Sequence, residues 1–315
     1  MGILVSIVIV NWNAKDLLLA CIDSIRRSAG DVSCEIIVVD NASDDGSVEA
    51  VRERFPDVML IPSDKNLGFA AGNNLGISKA QGEYVLLLNP DTVVREGAIQ
   101  ESAAFLRDNP DAGAVGCRLL GSDGLVQESH WAAFPNMPWL LKCALYLNKL
   151  GGLVSPDAKE PIQVAHLLGA YIMTRREIVR DLNGFDESYF LYMEETDLCY
   201  RIREAGFSIY YLPIPTVVHY GQQSSNQVAE WANVQLSLST YKFMREHGAT
   251  TVASRLCLQS IMLLGALVRL VLWGARYVIG IAGRQHSRKM LRGYWRLLTS
   301  VGSFETRCKN GYTAQ

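Results

Sequence analysis

Two apolar runs that stop abruptly at carboxylates and amides constrain this chain more than any other feature. Val85-Leu86-Leu87-Leu88 empties into Asn89-Pro90-Asp91, and Ile36-Ile37-Val38-Val39 empties into Asp40-Asn41. A short unbroken apolar run is the pattern of a parallel strand buried on both faces. Pro90 cannot continue a central strand, so the strand ends there with Asp91 just beyond it. In open α/β sheets, ligands sit at the carboxyl ends of strands. Two such ends bearing carboxylates predict a site for a nucleotide and a divalent metal. The plainer alternative is that Asp40 and Asp91 cap the helices that follow.

The alternation continues through the first 110 residues. The pattern predicts strands at 3–10, 35–40, 58–61 and 84–89, and helices at 15–27, 47–54 and 69–80. Strands alternating with helices imply a parallel sheet with right-handed crossovers. Segment 121–163 is irregular and rich in Gly, Pro and Trp, the mark of a functional or lid-like loop. Strands are predicted again at 164–174 and 207–218, with a helix at 196–205, and only helix from about 228 onward.

At 315 residues, 49% hydrophobic and 20% charged, the chain suits one large globular domain with a small appendage. A net charge of −2 argues against nucleic acid as a partner. Seven cysteines form no CxxC pair, and residues 3–10 run into Asn11, Asn13 and Lys15 without a basic leader or cleavage site. Free thiols in a reducing cytosol are the expectation.

Residues 40–47 form a polar loop suited to a base edge or ribose hydroxyls, without the GxGxxG spacing of NAD and FAD sites. Residues 66–74, NLGFAAGNN, open a helix whose small residues allow close backbone approach to phosphate. Asp91 is the metal candidate, because Mg²⁺ or Mn²⁺ on a pyrophosphate needs only one or two protein carboxylates. His219, after another apolar strand, is either a second ligand or structural. Glu194 and Glu195 open a helix behind the aromatic run 189–192. They either stabilise the helix dipole or present a general base to a hydroxyl.

Taken in order, VSIVIVNWN (5–13), VVDNASDDGS (38–47), NLGFAAGNN, LLLNPD (86–91), LLGAYIMTRREI (167–178), NGFDESYFLYMEETDLCYRIREAGF (183–207) and VVHYGQQSS (217–225) resemble the inverting glycosyltransferases of family 2. Within them they resemble the rhamnosyltransferase-like branch. The resemblance implies a GT-A fold, a Rossmann-like, mostly parallel sheet flanked by helices, over residues 1–225. It implies a nucleotide-sugar donor, with Asp40 on the base or ribose and Asn11, Asn41, Ser43, Asn66, Gly68, Asn73 and Asn89 around it. Asp91 stands for the last acid of the family's DxD metal motif, in which Asn89 replaces the first, and His219 for its metal-binding histidine. Glu195 matches the second acid of the family's ED pair, the base, with Glu194 beside it. Gly169 and Ala170 would line the acceptor side, for a lipid-linked or polysaccharide acceptor.

Residues 226–300 read as a helical extension and 301–315 as a tail. Residues 256–268 are uncharged, Arg255, Arg269 and Arg276 share one helical face, and 284–296 carry five basic residues and no acid. This predicts a helix lying in a membrane interface, and hence a cytoplasmic protein held peripherally on the inner face of the plasma membrane. A spanning helix and an ordinary core helix are the alternatives. Rival functions are a sugar-phosphate nucleotidyltransferase, disfavoured because no glycine-rich basic loop follows the first strand, and a catalytically silent membrane scaffold.

Overall fold

Every residue of β1 (Val5–Asn11) and of β4 (Tyr84–Leu88) is buried. Strands without an exposed face belong at the centre of a covered sheet, and the computed structural model has them there. It describes residues 2, 4–147, 158–221, 229–280 and 283–299. The other strands are β2 (Cys34–Asp40), β3 (Met59–Pro62), β5 (Thr92–Val94), β6 (Ala112–Leu120), β7 (His130–Trp131), β8 (Ile162–Val164), β9 (His166–Leu167), β10 (Tyr171–Arg175) and β11 (Ser208–His219). The helices before residue 205 are α1 (Lys15–Ser28), α2 (Ser47–Arg54), α3 (Gly68–Ile77), α4 (Ala98–Asp108), α5 (Met137–Ala144), α6 (Arg176–Asp181) and α7 (Glu194–Glu204).

The main sheet runs β3-β2-β1-β4-β10-β6-β11-β5, with β8 also on β11. β3-β2-β1-β4 is parallel throughout, and so is β6 with β11. β10 runs antiparallel between β4 and β6. The expected strand 164–174 is in fact broken into the end of β8 at Val164, then β9 and β10, the last two separated by a turn at Leu168–Ala170. One apolar layer, including Leu18, Ile22, Ile25, Ile99 and Leu106, covers one face of the sheet. A second, including Ile178, Leu198 and Ile202, covers the other.

Glycine spacing sets how α3 lies on this sheet. Gly72 and Gly76, one turn apart, face β1: a Cβ would come within 2.9 Å of Val10 Cγ1 and 2.3 Å of Val8 Cγ1. Only a helix without side chains at these positions packs this close, and it carries the NLG loop to the carboxyl end of β1.

The chain divides into two units. The sheet unit comprises Met1–Phe134, Gly152–Glu187 and Glu194–Ser224. The helical unit comprises Pro135–Gly151, Ser188–Met193 and Ser225–Gln315. The helical unit thus draws in two segments that the sequence pattern assigns to the first domain. One is α5, in the stretch expected to be irregular. The other is the aromatic run 189–192: Tyr189 donates to Glu246 at 3.2 Å under the Lys242 ammonium, and Phe190 packs edge-on against Trp231. The expected tail 301–315 lies outside the described residues, as does Gln222–Ser225 of the VVHYGQQSS motif.

The helical unit adds α8 (Ala229–Phe243), α9 (Val252–Ile279) and α10 (Arg284–Thr299). Among the described residues α9 alone is long and apolar enough to cross a membrane, with a mean hydropathy of 2.0 over its best window. Leu258, Ile261, Met262, Ala266 and Trp273 recur at helical spacing and are buried in the unit. The arginine face is divided: Arg255 and Arg276 are exposed and Arg269 turns inward. Arg269 is half-buried, donates to the Cys143 carbonyl at 3.2 Å and lies over the Tyr146 ring. The open face carries Leu256, Leu264, Leu267, Val271 and Val278, the last 78% exposed. α9 thus buries one apolar face in the unit's core and leaves a second one open.

Candidate active site

Asn11 ends β1, Asp40 ends β2, and the parallel register sets them side by side. Asn11 Nδ2 donates to Asp40 Oδ2 at 2.8 Å and to Ser43 Oγ at 3.2 Å, while the Ser43 amide donates to Asp40 Oδ1 at 2.9 Å. Asp40 is therefore held by both oxygens and is not a helix cap; α2 starts from Gly46, with Asp45 accepting the Ser47 amide at 3.0 Å. The loop turns through Ala42 at φ 59°. A non-glycine residue held there costs on the order of 1–3 kcal/mol, and such strain collects at functional sites.

Asn41 reaches α3, donating to the Gly68 carbonyl at 2.9 Å, and Asn66 Oδ1 accepts the Gly68 amide at 2.9 Å. Asn73 is 1% exposed and donates to the Phe69 carbonyl of its own helix, so its amide braces α3. Asn11 Oδ1 and Asn89 Oδ1, at the ends of the adjacent strands β1 and β4, are buried with no hydrogen-bond partner. Buried amide oxygens are nearly always satisfied. Two such acceptors on one sheet edge mark a place where a ligand supplies donors.

Beyond β4, β5 pairs with the end of β11, with Thr92 opposite His219. That register brings His219 Nε2 to 3.5 Å from Asp91 Oδ1, with both side chains mostly buried. Gln127 fixes the ring. Its Nε2 donates to the His219 carbonyl at 2.9 Å, which turns its Oε1 toward His219 Nδ1, also at 2.9 Å. With Oε1 accepting, Nδ1 carries a proton and Nε2 is the ring nitrogen that faces Asp91. One carboxylate and one imidazole nitrogen, the ring oriented by an amide, form a donor set suited to a divalent metal such as Mn²⁺.

The chain enters α7 through two consecutive left-handed residues, Tyr192 (φ 67°) and Met193 (φ 69°). Glu194 is buried. Burial first, then the charges of Glu195 and Asp197, push its carboxyl well above the ordinary carboxylate range. Glu195 lies against the Leu168–Ala170 turn: a Cβ on Gly169 would sit 3.6 Å from Glu195 Cβ and 3.7 Å from Phe69 Cε1. Ala170 is fully buried, and its carbonyl accepts the Asn89 amide at 3.1 Å, tying this turn to the Asn89-Pro90-Asp91 loop. Asp197 is paired with Arg201 at 2.7 Å. His166 Nδ1 lies 3.5 Å from Thr196 Oγ1 in α7, and the ring stacks on Trp131 and Phe134. Burial lowers its pKa to about 3, so it is neutral.

Strand ends and loops thus join Asn11, Asp40 and Ser43 in one group, Asp91 and His219 in a second, and Glu195 with Gly169 in a third. Sequence reasoning missed Gln127 and His166. Gln127 sits in no predicted element or motif and is 92 positions from the histidine it holds, while His166 falls inside a predicted strand, where a histidine reads as packing.

Mannosyltransferase PcManGT from Pyrobaculum calidifontis, in complex with GDP-Man and Mn²⁺, superposes with a TM-score of 0.57 at 16% identity, covering 97% of this chain and 88% of that one. That likeness bears on the fold, which is GT-A. N-acetylglucosaminyl-diphospho-decaprenol L-rhamnosyltransferase of Mycobacterium tuberculosis is 29% identical over 232 residues, 67% of this chain and 74% of that protein. Rhamnosyltransferase WbbL of Escherichia coli is 24% identical over 253 residues, 76% and 92% of the two chains. Residues 6–182 match the profile described as Glycosyl transferase family 2, more than half of the chain, and the protein is a glycosyltransferase of that family.

Proposed function

We propose that the protein moves a deoxyhexose or hexose, rhamnose being the favoured sugar, from a nucleotide-diphosphate donor to a hydroxyl of a lipid-linked or polysaccharide acceptor, with inversion. The observation that carries this reading is the Asp91–His219 pair at 3.5 Å, on the same sheet edge as the braced Asp40. The rhamnosyltransferase relatives, one named for a decaprenol-linked acceptor, support the sugar and the lipid.

In this reading Asn11 and Ser43 hold the Asp40 carboxylate for the donor's ribose or base, and Asn89 accepts from the sugar-diphosphate. Asp91 and His219 hold Mn²⁺ or Mg²⁺, which neutralises charge on the departing diphosphate when bound. Burial, with the charges of Glu195 and Asp197, biases Glu194 toward its protonated form, and Glu195, against the Gly169 turn, is the base. Glu195 takes the acceptor hydroxyl's proton as that oxygen bonds to the anomeric carbon. The bond from that carbon to the diphosphate oxygen breaks, and its electron pair leaves with the nucleotide. Gly169 has no side chain, which keeps the approach to Glu195 open. The protein works from the cytoplasmic side, peripherally on the membrane, with α9 in the interface.

The test is transfer from a panel of nucleotide sugars to a synthetic polyprenyl-diphosphate saccharide, with the anomeric configuration read by NMR. An inverted product supports the reading; a retained product, or nucleotide transfer to a sugar phosphate, refutes it.

A further inference from the structure

The turn that carries Asp91 is closed by a side-chain hydroxyl. Thr92 is 1% exposed, and its Oγ1 donates to the Asn89 carbonyl at 2.7 Å. Pro90, between them, brings no amide to the turn, so a side chain supplies a donor across it. A hydroxyl has one proton to give. With that proton on the Asn89 carbonyl, Oγ1 accepts from the Cys21 thiol of α1, 3.4 Å away. One helical turn along α1, Ser24 Oγ donates to the Cys21 carbonyl at 2.7 Å and accepts the Val94 amide at 2.9 Å. Side chains of α1 thus grip β5, the strand at the end of the main sheet.

The backbone of the same residue is tied elsewhere. Thr92 lies opposite His219 in the β5–β11 pair, and the Asp91 carbonyl accepts the Tyr220 amide at 2.9 Å. The main chain of Thr92 is therefore fixed to the histidine and its hydroxyl to the start of the turn, with Asp91 inside the loop so closed. We propose that Thr92 is a positioning residue of the metal site. Its hydroxyl sets the turn from Asn89 to Thr92, and through it the direction in which the Asp91 carboxylate leaves the backbone toward His219. This role rests on Asp91 and His219 being the metal ligands. With an amide at Asn89, Asp91 is the one carboxylate of the loop, so the cation's affinity depends on where that single charged group points.

The test titrates the full chain with Mn²⁺ alone, without donor, reading the EPR signal of the free ion, and records Tm without metal. Groups that orient metal ligands from outside are typically worth about 10–100-fold in affinity. Thr92→Val fills the same space without the hydroxyl and should weaken Mn²⁺ binding by that order, whereas Thr92→Ser keeps the hydroxyl and should restore most of it. Ser24→Ala is the control for stability: it strips the Val94 amide of its acceptor on the same strand, so it should lower Tm while leaving Mn²⁺ affinity near that of wild type. Should Thr92→Val fail to fold, Thr92→Ala, which sets no methyl against the Asn89 carbonyl, takes its place with the same expectation. Wild-type Mn²⁺ affinity in the variant without the hydroxyl, an equal loss in Thr92→Ser, or an equal loss in Ser24→Ala overturns the positioning role while the metal site stands. If wild type itself binds no Mn²⁺, the metal reading fails and the role of Thr92 fails with it.

Discussion

Gln127 grips His219 at two points: its Nε2 donates to the histidine's carbonyl and its Oε1 faces Nδ1, each at 2.9 Å. One amide thus sets both the backbone position and the tautomer of the ring that faces Asp91. Outer groups that orient a metal-ligating histidine are typically worth about 10–100-fold in metal affinity. Gln127→Leu should weaken Mn²⁺ binding by that order, read by the EPR signal of free Mn²⁺. Gln127→Glu keeps an acceptor at Nδ1 and should restore most of the affinity. Unchanged Mn²⁺ binding in Gln127→Leu would remove His219 from the metal site.

The two glutamates at the start of α7 should separate cleanly. Removing a positioned general base costs about 10²–10⁴ in rate, so Glu195→Gln should lower kcat by that order with little change in donor KM. Glu194, kept protonated by burial and by its neighbours' charge, already resembles a glutamine, and Glu194→Gln should cost far less. The reverse ranking would make Glu194 the base.

Glu194 also predicts a pH effect on stability. Its folded pKa is raised, so the folded state resists the charge that the unfolded chain takes on above about 4.5. The stability it contributes is complete below that pH and is lost as pH rises toward the folded value, by at most about 1.4 kcal/mol per pH unit. Glu194→Gln should therefore raise Tm relative to wild type at pH 8, with the gap closing toward pH 4.5. A gap that widens on acidification would contradict the buried, protonated state. His166 has the opposite sign: with its pKa lowered to about 3, its contribution is complete above about 6.5 and declines as pH falls.

The fit of α3 on β1 is a packing prediction. A Cβ at Gly76 would meet Val8 Cγ1 at 2.3 Å, and overpacking of this kind costs about 1–3 kcal/mol. Gly76→Ala should destabilise by that amount in urea unfolding, and adding Val8→Ala should recover part of the loss. Strict additivity would mean that the helix does not touch the strand there.

What was legible in the sequence follows from locality. Asp40 and Asp91 were found because an apolar strand must stop where a proline or a run of polar groups begins, and the register of β1 against β2 then delivers Asn11 to Asp40. The helix α1 announces itself through apolar periodicity at Leu18, Cys21, Ile22 and Ile25. Gln127 could not be found this way, because its meaning depends on a loop and a strand end 92 positions apart. The Leu168–Ala170 turn was hidden inside one apolar stretch, since a continuous apolar run does not show where a chain reverses. The helical spacing of the α9 arginines was legible, but which of them packs is decided by tertiary partners: Tyr146 and the Cys143 carbonyl draw Arg269 inward while Arg255 and Arg276 stay exposed.

The central claim is that a cation held by Asp91 and His219 drives sugar transfer. The most direct measurement is donor turnover by wild type and by Asp91→Asn, each in EDTA and after adding Mn²⁺. The account predicts turnover for wild type with Mn²⁺, loss in EDTA, and no recovery by Mn²⁺ in Asp91→Asn, whose Tm stays near that of wild type. Wild-type turnover by Asp91→Asn in EDTA would contradict it.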